Sequence, residues 1–172
     1  MEIRRLSPSA AAAARPMLIA LLQDVVDTGA SVGFLPPLAA AEADDYWQGV
    51  IGKIAAPDHI LFGAYSDEQL IGTVQLSFES RPNGNHRAEV SKLLVHTQAR
   101  RRGIATALME HLEQAARERD RSLLVLDTLA GDVAEQLYLR LGFQQAGMIP
   151  NYARSGDGKL YATMYMYKLL DA

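Results

Sequence analysis

Hydrophobic and polar positions along the chain follow two periods, which together predict a mixed α/β fold. Apolar residues recur at the spacing of an α-helix in four segments: residues 7–29, 38–55, 104–119 and 132–141. Seven other segments have the short apolar runs or the alternation typical of strands: residues 2–6, 59–65, 69–79, 87–96, 123–126, 143–152 and 160–169. The predicted order of elements is therefore β-α-α-β-β-β-α-β-α-β-β.

The connections indicate how these strands pair. Polar turns at residues 66–68, 81–85 and 155–158 join neighbouring strands, so most pairs are expected to be antiparallel. The run at residues 123–126 is continuously apolar, which is typical of a strand buried on both faces in a parallel pairing. We predict a mixed α+β sheet of about seven mostly antiparallel strands, with a splayed central parallel pair and about four helices, in a single domain of residues 1–172.

The composition narrows the class of protein. The 172 residues are 49% hydrophobic and 22% charged, as in globular proteins, and the net charge of −3 gives no general attraction for nucleic acids or anionic membranes. Residues 17–22 are apolar but too short to span a bilayer, and no signal peptide is visible. Cysteine is absent, and the four histidines show no metal-ligand spacing. We expect a cytoplasmic protein without a metal, a nucleic-acid partner or a membrane partner.

One short segment has the character of an anion-binding site. Residues 100–105 read R-R-R-G-I-A and lie between a predicted strand and the long helix. The first N–H groups of a helix lack intrahelical partners, the arginines add positive charge, and Gly103 lets the backbone approach a ligand. Neither a P-loop motif nor G-x-G-x-x-G is present, which excludes those nucleotide-binding folds. The alternative is a basic helix start that faces solvent.

Two apolar segments leave alternatives open. The loop of residues 29–37 has apolar residues without periodicity, as expected either of a buried connection or of a flap over a substrate. In the tail, tyrosines alternate with methionines, so both faces of the last strand are apolar. We predict that this strand is central in the sheet, and the alternative is that a partner chain covers it in a homodimer. Phe34 and Tyr152 are candidates for the wall of a substrate pocket.

Two motifs resemble the GNAT (Gcn5-related N-acetyltransferase) superfamily. Arg100, Gly103 and Ala105 match the three positions of its pyrophosphate-binding loop, R-x-x-G-x-A. The family's later pattern, A-x-x-L-Y-x-x-x-G-F, stands at residues 134–143. Further segments resemble the toxin-inactivating acetyltransferases of the tabtoxin-resistance type: residues 29–34, 82–84, 87–90, 126–128, 133–135 and 157–158. The resemblance covers nearly the whole chain and implies the GNAT fold.

The resemblance also implies an activity. The chain is expected to be an N-acetyltransferase, an enzyme of the acyltransferase class that transfers the acetyl group of acetyl-CoA to the primary amine of a small molecule. The acceptor could be an amino-acid-like compound, or a β-lactam toxin or antibiotic that acetylation inactivates, as in resistance enzymes. Two alternatives remain. An open peptide groove would favour an acetyltransferase of protein or peptide amines, and the lack of a working base would favour a non-catalytic module that binds acyl-CoA.

The family resemblance assigns expected roles to individual residues. The coenzyme is expected to contact Leu94, Val95, Arg100, Arg101, Arg102, Gly103, Ile104, Ala105, Thr106, Ala134 and Tyr138. The catalytic candidates are Glu89, Asp127 and Tyr138, and the substrate-binding candidates are Phe34, Glu89, Asp127 and Tyr152. Gly131 departs from the family pattern, because many members have an asparagine there that contacts the pantetheine arm.

Glu89 and Asp127 are the two candidates for the base. A lysine-like amine has a pKa of ~10.4, so it must lose a proton before it can attack, and either carboxylate could accept that proton directly or through a water. Glu89 alternates onto the strand face of Leu93 and Val95, which would place it among apolar neighbours. Asp127 ends an apolar strand, where desolvation would make it a stronger base. The structural alternatives are a surface pair of Glu89 with a nearby cation, Arg87 or Lys92, and a loop cap formed by Asp127.

Two other groups would serve the thioester. Tyr138 would protonate the departing thiolate, since the family places this hydroxyl near the sulfur, and the alternative is a tyrosine of the core. The backbone N–H of Leu94 or Val95, at the splayed end of its strand, would polarise the thioester carbonyl.

Overall fold

The computed structural model describes residues 1–170, in which there are seven strands and five helices. The strands are β1 (Glu2–Arg5), β2 (His59–Ser66), β3 (Gln69–Phe78), β4 (Arg87–Val95), β5 (Leu123–Leu129), β6 (Gln144–Arg154) and β7 (Leu160–Leu169). The helices are α1 (Pro8–Ala13), α2 (Arg15–Asp27), α3 (Ala40–Lys53), α4 (Ile104–Arg117) and α5 (Val133–Arg140), and a 3₁₀ turn, Thr97–Ala99, precedes α4. None of these helices combines the length and apolar composition needed to cross a bilayer.

The strands form one sheet in the order β1-β2-β3-β4-β5-β7-β6. Only β4 and β5 run parallel, because α4 carries the chain from the end of one to the start of the other. Their pairing covers three residues, Arg87 to Glu89 against Leu123 to Val125, and the two strands separate beyond it. The predicted mixed sheet with a splayed central parallel pair is therefore confirmed.

Helices cover both faces of the sheet, and each face has its own apolar cluster. On one face, α4 packs its buried side chains, among them Leu108 and Leu112, onto strands β2 to β5. On the other face, α1, α2 and α3 bury Leu18, Leu22 and Trp47. Burying a leucine contributes about 1.5–3 kcal/mol, so these two clusters hold the central strands from both sides.

An irregularity at Lys92 reverses the side-chain alternation of β4. Lys92 has a left-handed backbone, φ 50°, and the register with β3 shifts at this point. As a result Leu94 packs on the α2 and α3 face, while Leu93 and Val95 pack on the α4 face. Glu89 precedes the bulge and lies on the opposite face from Leu93 and Val95. The prediction that Glu89 shares their face is wrong, because strict alternation does not hold across a bulge.

The first predicted helix is divided into α1 and α2. Ser7 caps α1 by accepting a hydrogen bond from the Ala10 N–H at 3.1 Å, as its position before Pro8 predicts. The helix stops at Ala13 because Pro16 has no N–H to continue the ladder, and α2 starts with this proline in its first turn. The prediction of about four helices therefore becomes five in residues 1–170.

Strands β5 and β7 also refine the prediction. β5 continues to Leu129, so Asp127 lies inside the strand and not at its end. β7 lies between β5 and β6, which confirms its predicted central position. Even so, Tyr161 and Tyr165 of β7 are exposed.

We predict that Gly72→Ala lowers the free energy of unfolding by about 1–3 kcal/mol. A Cβ on Gly72 would lie 2.9 Å from the Leu94 carbonyl oxygen and 3.2 Å from side chains of Ile104 and Leu108, so β3, β4 and α4 would have to shift. Urea unfolding measures the change. Gly49→Ala is the matched control, since Gly49 is exposed in α3 with open space around its Cβ position. It should be neutral or stabilising by about 1 kcal/mol, and an equal loss in both variants would contradict the packing assigned to Gly72.

Candidate active site

A cavity of about 850 Å³ lies where β4 and β5 separate. Its walls come from β4, the start of α4, β5, α5, the loop after α2 and the hairpin of β6 and β7. Most of the sequence-predicted site residues line it: Leu94, Val95, Arg100, Arg101, Gly103, Ile104, Ala105, Thr106, Asp127, Ala134, Tyr138 and Tyr152. The exceptions are Phe34, Glu89 and Arg102, which do not line it.

The start of α4 presents unpaired backbone donors to one end of this cavity. Gly103 is the N-cap residue and no side chain caps the helix, so the first N–H groups have no capping partner. Arg101 and Gly103 both have left-handed backbones, φ 63° and 77°, which turn successive amides toward one side. A Cβ placed on Gly103 would meet no protein atom within 4 Å. This concave set of donors, with the charges of Arg100 and Arg101, fits a coenzyme pyrophosphate.

The backbone of Val95 faces the same cavity. The His96 N–H donates to the Ile71 carbonyl of β3 at 2.9 Å, so by strand alternation the Val95 N–H points to the other edge, toward β5. The Val95 carbonyl faces the same way and accepts from Arg100 Nε at 3.4 Å. Of the two predicted amide donors, Val95 rather than Leu94 is therefore the one directed into the gap between the strands.

Tyr138 lies on the buried face of α5 and is only 8% exposed. Its ring packs edge-on against Phe143, with 5.6 Å between centroids. Burial raises the pKa of Tyr138 well above its usual range, and the negative charge of Asp127 adds to the effect. The side chain still lines the cavity, so a phenol that keeps its proton at neutral pH is available there.

Both candidate bases are exposed, unlike the desolvated acids expected from the sequence. Asp127 projects from inside β5 into the cavity, and its Oδ2 lies 3.0 Å from the Thr163 hydroxyl of β7. Glu89 lies outside the lining, and the structural alternative of a pair with Arg87 is not formed, because Arg87 pairs with Glu79 at 2.8 Å. Within residues 1–170, neither Asp127 nor Glu89 has a salt bridge.

The loop after α2 has features of both expected alternatives, a flap over a substrate and a buried connection. Residues 29–33 line the cavity, as a flap over a substrate would. Phe34, in contrast, turns into the core and packs edge-on against Tyr46, with 5.3 Å between ring centroids. Phe34 thus supports the wall of the cavity from behind.

Tyr152 lies on the hairpin side of the same cavity and is half-exposed. Its hydroxyl lies 2.8 Å from that of Tyr165. The two phenols are therefore linked at the rim formed by β6 and β7.

Gly131, the position that departs from the family pattern, is held by Glu135. The Gly131 N–H donates to Glu135 Oε2 at 2.6 Å, and Glu135 is buried. Gly131 does not line the cavity, whereas its neighbours Leu129 and Asp132 do. Contacts to a pantetheine arm in this region would therefore come from residues on either side of Gly131.

Lys92 is one of the charged cavity residues that sequence reasoning missed, with Asp132 and Arg140. It is half-buried at the bulge of β4 and lines the cavity together with Asp127. Burial lowers the pKa of Lys92, while the negative charges of Asp127 and Glu89 act in the opposite direction. The available signal is a lysine directly before the apolar residues 93–95 of β4.

Tyr46 of α3 lies beneath Lys92, with Nζ 5.7 Å from the ring centroid. Its hydroxyl accepts a hydrogen bond from Gln75 Nε2 at 2.8 Å, and Gln75 Oε1 lies 3.0 Å from His59 Nε2. Burial raises the pKa of Tyr46 to about 12, an effect that the hydrogen bond with Gln75 partly offsets. The side of the cavity near Lys92 is therefore supported by a buried polar chain.

Comparison with known proteins agrees with this geometry. The model of the acetyltransferase (GNAT) family matches residues 27–143, more than half of the chain. The chain belongs to the GNAT family. It is 38% identical to N-acetyltransferase 8B of Rattus norvegicus over 86 residues, which is 49% of this chain and 39% of that protein. Over 106 residues it is 32% identical to an uncharacterised N-acetyltransferase from the hisH-hisA intergenic region of Azospirillum brasilense, covering 60% and 61% of the two chains. Each match thus spans less than two thirds of the relative's length.

Solved GNAT structures share the fold over almost the full chain. The ribosomal-protein-alanine N-acetyltransferase of Brucella melitensis superposes with a TM-score of 0.79 at 22% identity, covering 99% of this chain and 100% of that one. An N-acetyltransferase of Staphylococcus aureus gives a TM-score of 0.80 at 19% identity, covering 99% and 98%. The predicted GNAT fold is confirmed, and members of this family generally use acetyl-CoA. Similarity to the tabtoxin-resistance type stays a prediction.

We predict that Tyr46 makes the protein less stable as pH rises above about 10. A tyrosine in the unfolded chain has a pKa of about 10, whereas Tyr46 in the fold has a pKa of about 12. Between these values the unfolded chain loses a proton that the folded chain keeps, so the free energy of unfolding falls with pH. Tyr46→Phe should reduce that slope by up to about 1.4 kcal/mol per pH unit in urea titrations at several pH values. An unchanged slope would contradict the burial assigned to this hydroxyl.

Proposed function

We propose that this GNAT protein is an acetyl-CoA-dependent N-acetyltransferase that acts on the primary amine of a small molecule. One observation carries the proposal: a single cavity joins the unpaired amides at the start of α4 with the Val95 N–H, Tyr138 and Asp127. Binding of a pyrophosphate, polarisation of a carbonyl, protonation of a leaving group and removal of a proton are the four tasks that acetyl transfer to an amine requires. The cavity contains a group suited to each.

The coenzyme end uses backbone donors and arginine charge. The amides of Ile104, Ala105 and Thr106 would hold the pyrophosphate, with Arg100 and Arg101 adding positive charge. Bound acetyl-CoA would supply the acetyl group as a thioester. The Val95 N–H is positioned to donate to the carbonyl oxygen, on which negative charge develops during attack.

The acceptor end uses two acids and a phenol. Asp127, which lines the cavity, would take a proton from the incoming ammonium, directly or through a water. Glu89 lies outside the lining, so its proposed contribution is a second negative charge that attracts the ammonium. Tyr138 would donate its proton to the leaving sulfur, a role that its position in the cavity supports.

The boundary of the cavity favours a small acceptor over a polypeptide. Residues 29–33 of the loop after α2 and Tyr152 of the hairpin both line the cavity, which supports a small acceptor. An amino-acid-like toxin or antibiotic remains the acceptor that the sequence resemblance suggests.

A homodimer is also proposed, because exposed apolar residues of β6 and β7, among them Met148, Ile149 and Tyr161, could be covered by a second copy.

We predict that Gly103→Val abolishes CoA binding. The valine side chain would occupy the open space in front of the α4 amides, and a β-branched residue is strained at φ 77°. Titration calorimetry with CoA measures the loss. Gly158→Val is the matched control, because Gly158 has φ 81°, equally open space and a place in the turn between β6 and β7, outside the cavity lining. Wild-type affinity in the Gly103 variant would contradict the loop assignment.

We predict that Tyr138→Phe lowers kcat by about 10²–10⁴-fold and leaves CoA affinity unchanged, because it removes only the proton donor. The measurement is release of CoA thiol from acetyl-CoA with a panel of primary amines, which also tests the proposed function itself. Tyr161→Phe, an exposed phenol of β7 outside the cavity lining, is the control and should retain full turnover. Unchanged kcat in the Tyr138 variant would remove its role. Absence of thiol release with every amine, despite CoA binding, would favour a non-catalytic module.

A further inference from the structure

Lys92 is a cavity cation without a protein partner. In residues 1–170, no carboxylate lies within salt-bridge distance of its Nζ and no hydrogen bond to the ammonium is formed. The nearest supports are the Tyr46 ring at 5.7 Å and the loop at Gly33, where a Cβ would lie 3.7 Å from Nζ. The Lys92 side chain is half-buried and no protein anion pairs with its ammonium, so this position suits a bound anion.

Lys168 shows how the same fold treats a lysine that belongs to its core. Lys168 is also half-buried, and its Nζ lies 2.6 Å from Glu113 Oε1 and 2.7 Å from the Leu141 carbonyl oxygen. The protein thus gives one partly buried ammonium two hydrogen-bond partners and leaves the other directed at a cavity. The difference separates a structural lysine from one that is available to a ligand.

The bulge of β4 accounts for the position of Lys92. A residue with L configuration and a left-handed backbone costs about 1 kcal/mol or more, and Lys92 has φ 50°. This conformation accompanies the place of Lys92 in the lining, three residues before Val95, where the charges of Asp127 and Glu89 act on it. The strain is therefore located where the reaction is proposed to occur.

Charges of both signs meet at the acceptor end. Lys92 and Asp127 line the same cavity, and Glu89 is near enough to Lys92 for its negative charge to oppose the lowering of the Lys92 pKa by burial. Negative charge attracts an ammonium, and Lys92 attracts an anion in the same molecule. A zwitterion carries such a pair within a few bonds. The two acids disfavour a doubly charged phosphate on the acceptor, whereas a carboxylate carries only one charge.

We propose that Lys92 binds the carboxylate of the acceptor and that the acceptor is an amine of the amino-acid class. This inference rests on the proposed N-acetyltransferase function and adds a residue that selects the substrate. Lys92 holds the acceptor by its carboxylate, and Asp127 then faces the ammonium of the same molecule. Lys92 takes no proton during the reaction, so its contribution is to binding and not to the chemical step.

The experiment compares amino acids with their carboxamides, in which a neutral group of the same shape replaces the carboxylate. Thiol release is measured for wild type, Lys92→Met and Lys92→Arg. The wild type should have the higher kcat/KM on the acids. Lys92→Met should lower kcat/KM on the acids by about ten- to a hundredfold, through KM, as expected for the loss of a hydrogen bond to a charged group. On the carboxamides it should match the wild type, and Lys92→Arg should retain part of the preference for acids.

Two controls separate this effect from damage to the fold. Lys159→Met makes the same change at an exposed lysine in the turn before β7, and it should leave both classes of acceptor unchanged. CoA affinity and thermal melting of the Lys92 variants report on the coenzyme site and the fold. A phosphate-bearing amine, phosphoethanolamine, tests whether any anion is accepted, and we expect a carboxylate acceptor to be preferred over it.

The contrary results are distinct. Equal loss on acids and carboxamides would make Lys92 part of the chemistry or of the fold and would overturn the inference. A wild type that prefers carboxamides, phosphoethanolamine or peptide amines would overturn it too, while the N-acetyltransferase function would stand. If no amine of any class releases thiol from bound acetyl-CoA, the proposed function itself fails and the inference with it.

Discussion

The structure of the site depends on the separation of two parallel strands. β4 and β5 pair over three residues and then part, so main-chain groups of both strands beyond that point face a gap instead of a partner. Unpaired backbone groups are costly when buried and useful when a ligand can meet them. The helix between the two strands starts at this gap, and its own unpaired amides open onto it. The cavity therefore follows from a topology in which hydrogen bonding between neighbours is interrupted.

Apolar packing on both faces of the sheet offsets the free-energy cost of this interrupted hydrogen bonding. The α4 cluster and the α2 and α3 cluster clamp the central strands, and Gly72 lets β3 come close to the Leu94 carbonyl oxygen. The same clamps support groups that would otherwise be unfavourable. Burial raises the pKa of Tyr138, and the left-handed backbone of Lys92 lies in a strand that is packed on both faces. Stability elsewhere in the fold is thus what allows strained and desolvated groups at the cavity.

Much of this architecture is predictable from periodicity and turn residues. The strand and helix segments, the parallel pair and the anion-binding character of residues 100–105 all follow from local pattern, because side-chain periods of two and 3.6 report directly on backbone geometry. The break between α1 and α2 is marked in the sequence by Pro16. The bulge at Lys92 has no such mark, since no glycine or proline accompanies it, and it reverses the faces of every later residue of β4.

The sequence by itself determined the fold class, the basic loop of residues 100–105 and the types of residue that chemistry would need, because these depend on order along the chain and on motifs of a few neighbours. Tertiary structure alone decided which of them share a cavity. It placed Asp127 in the lining and Glu89 outside it, chose Val95 over Leu94, and brought Lys92 to the acceptor end. Those outcomes depend on strand register, on one bulge and on exposure, and each of these is set by contacts between segments far apart in the chain.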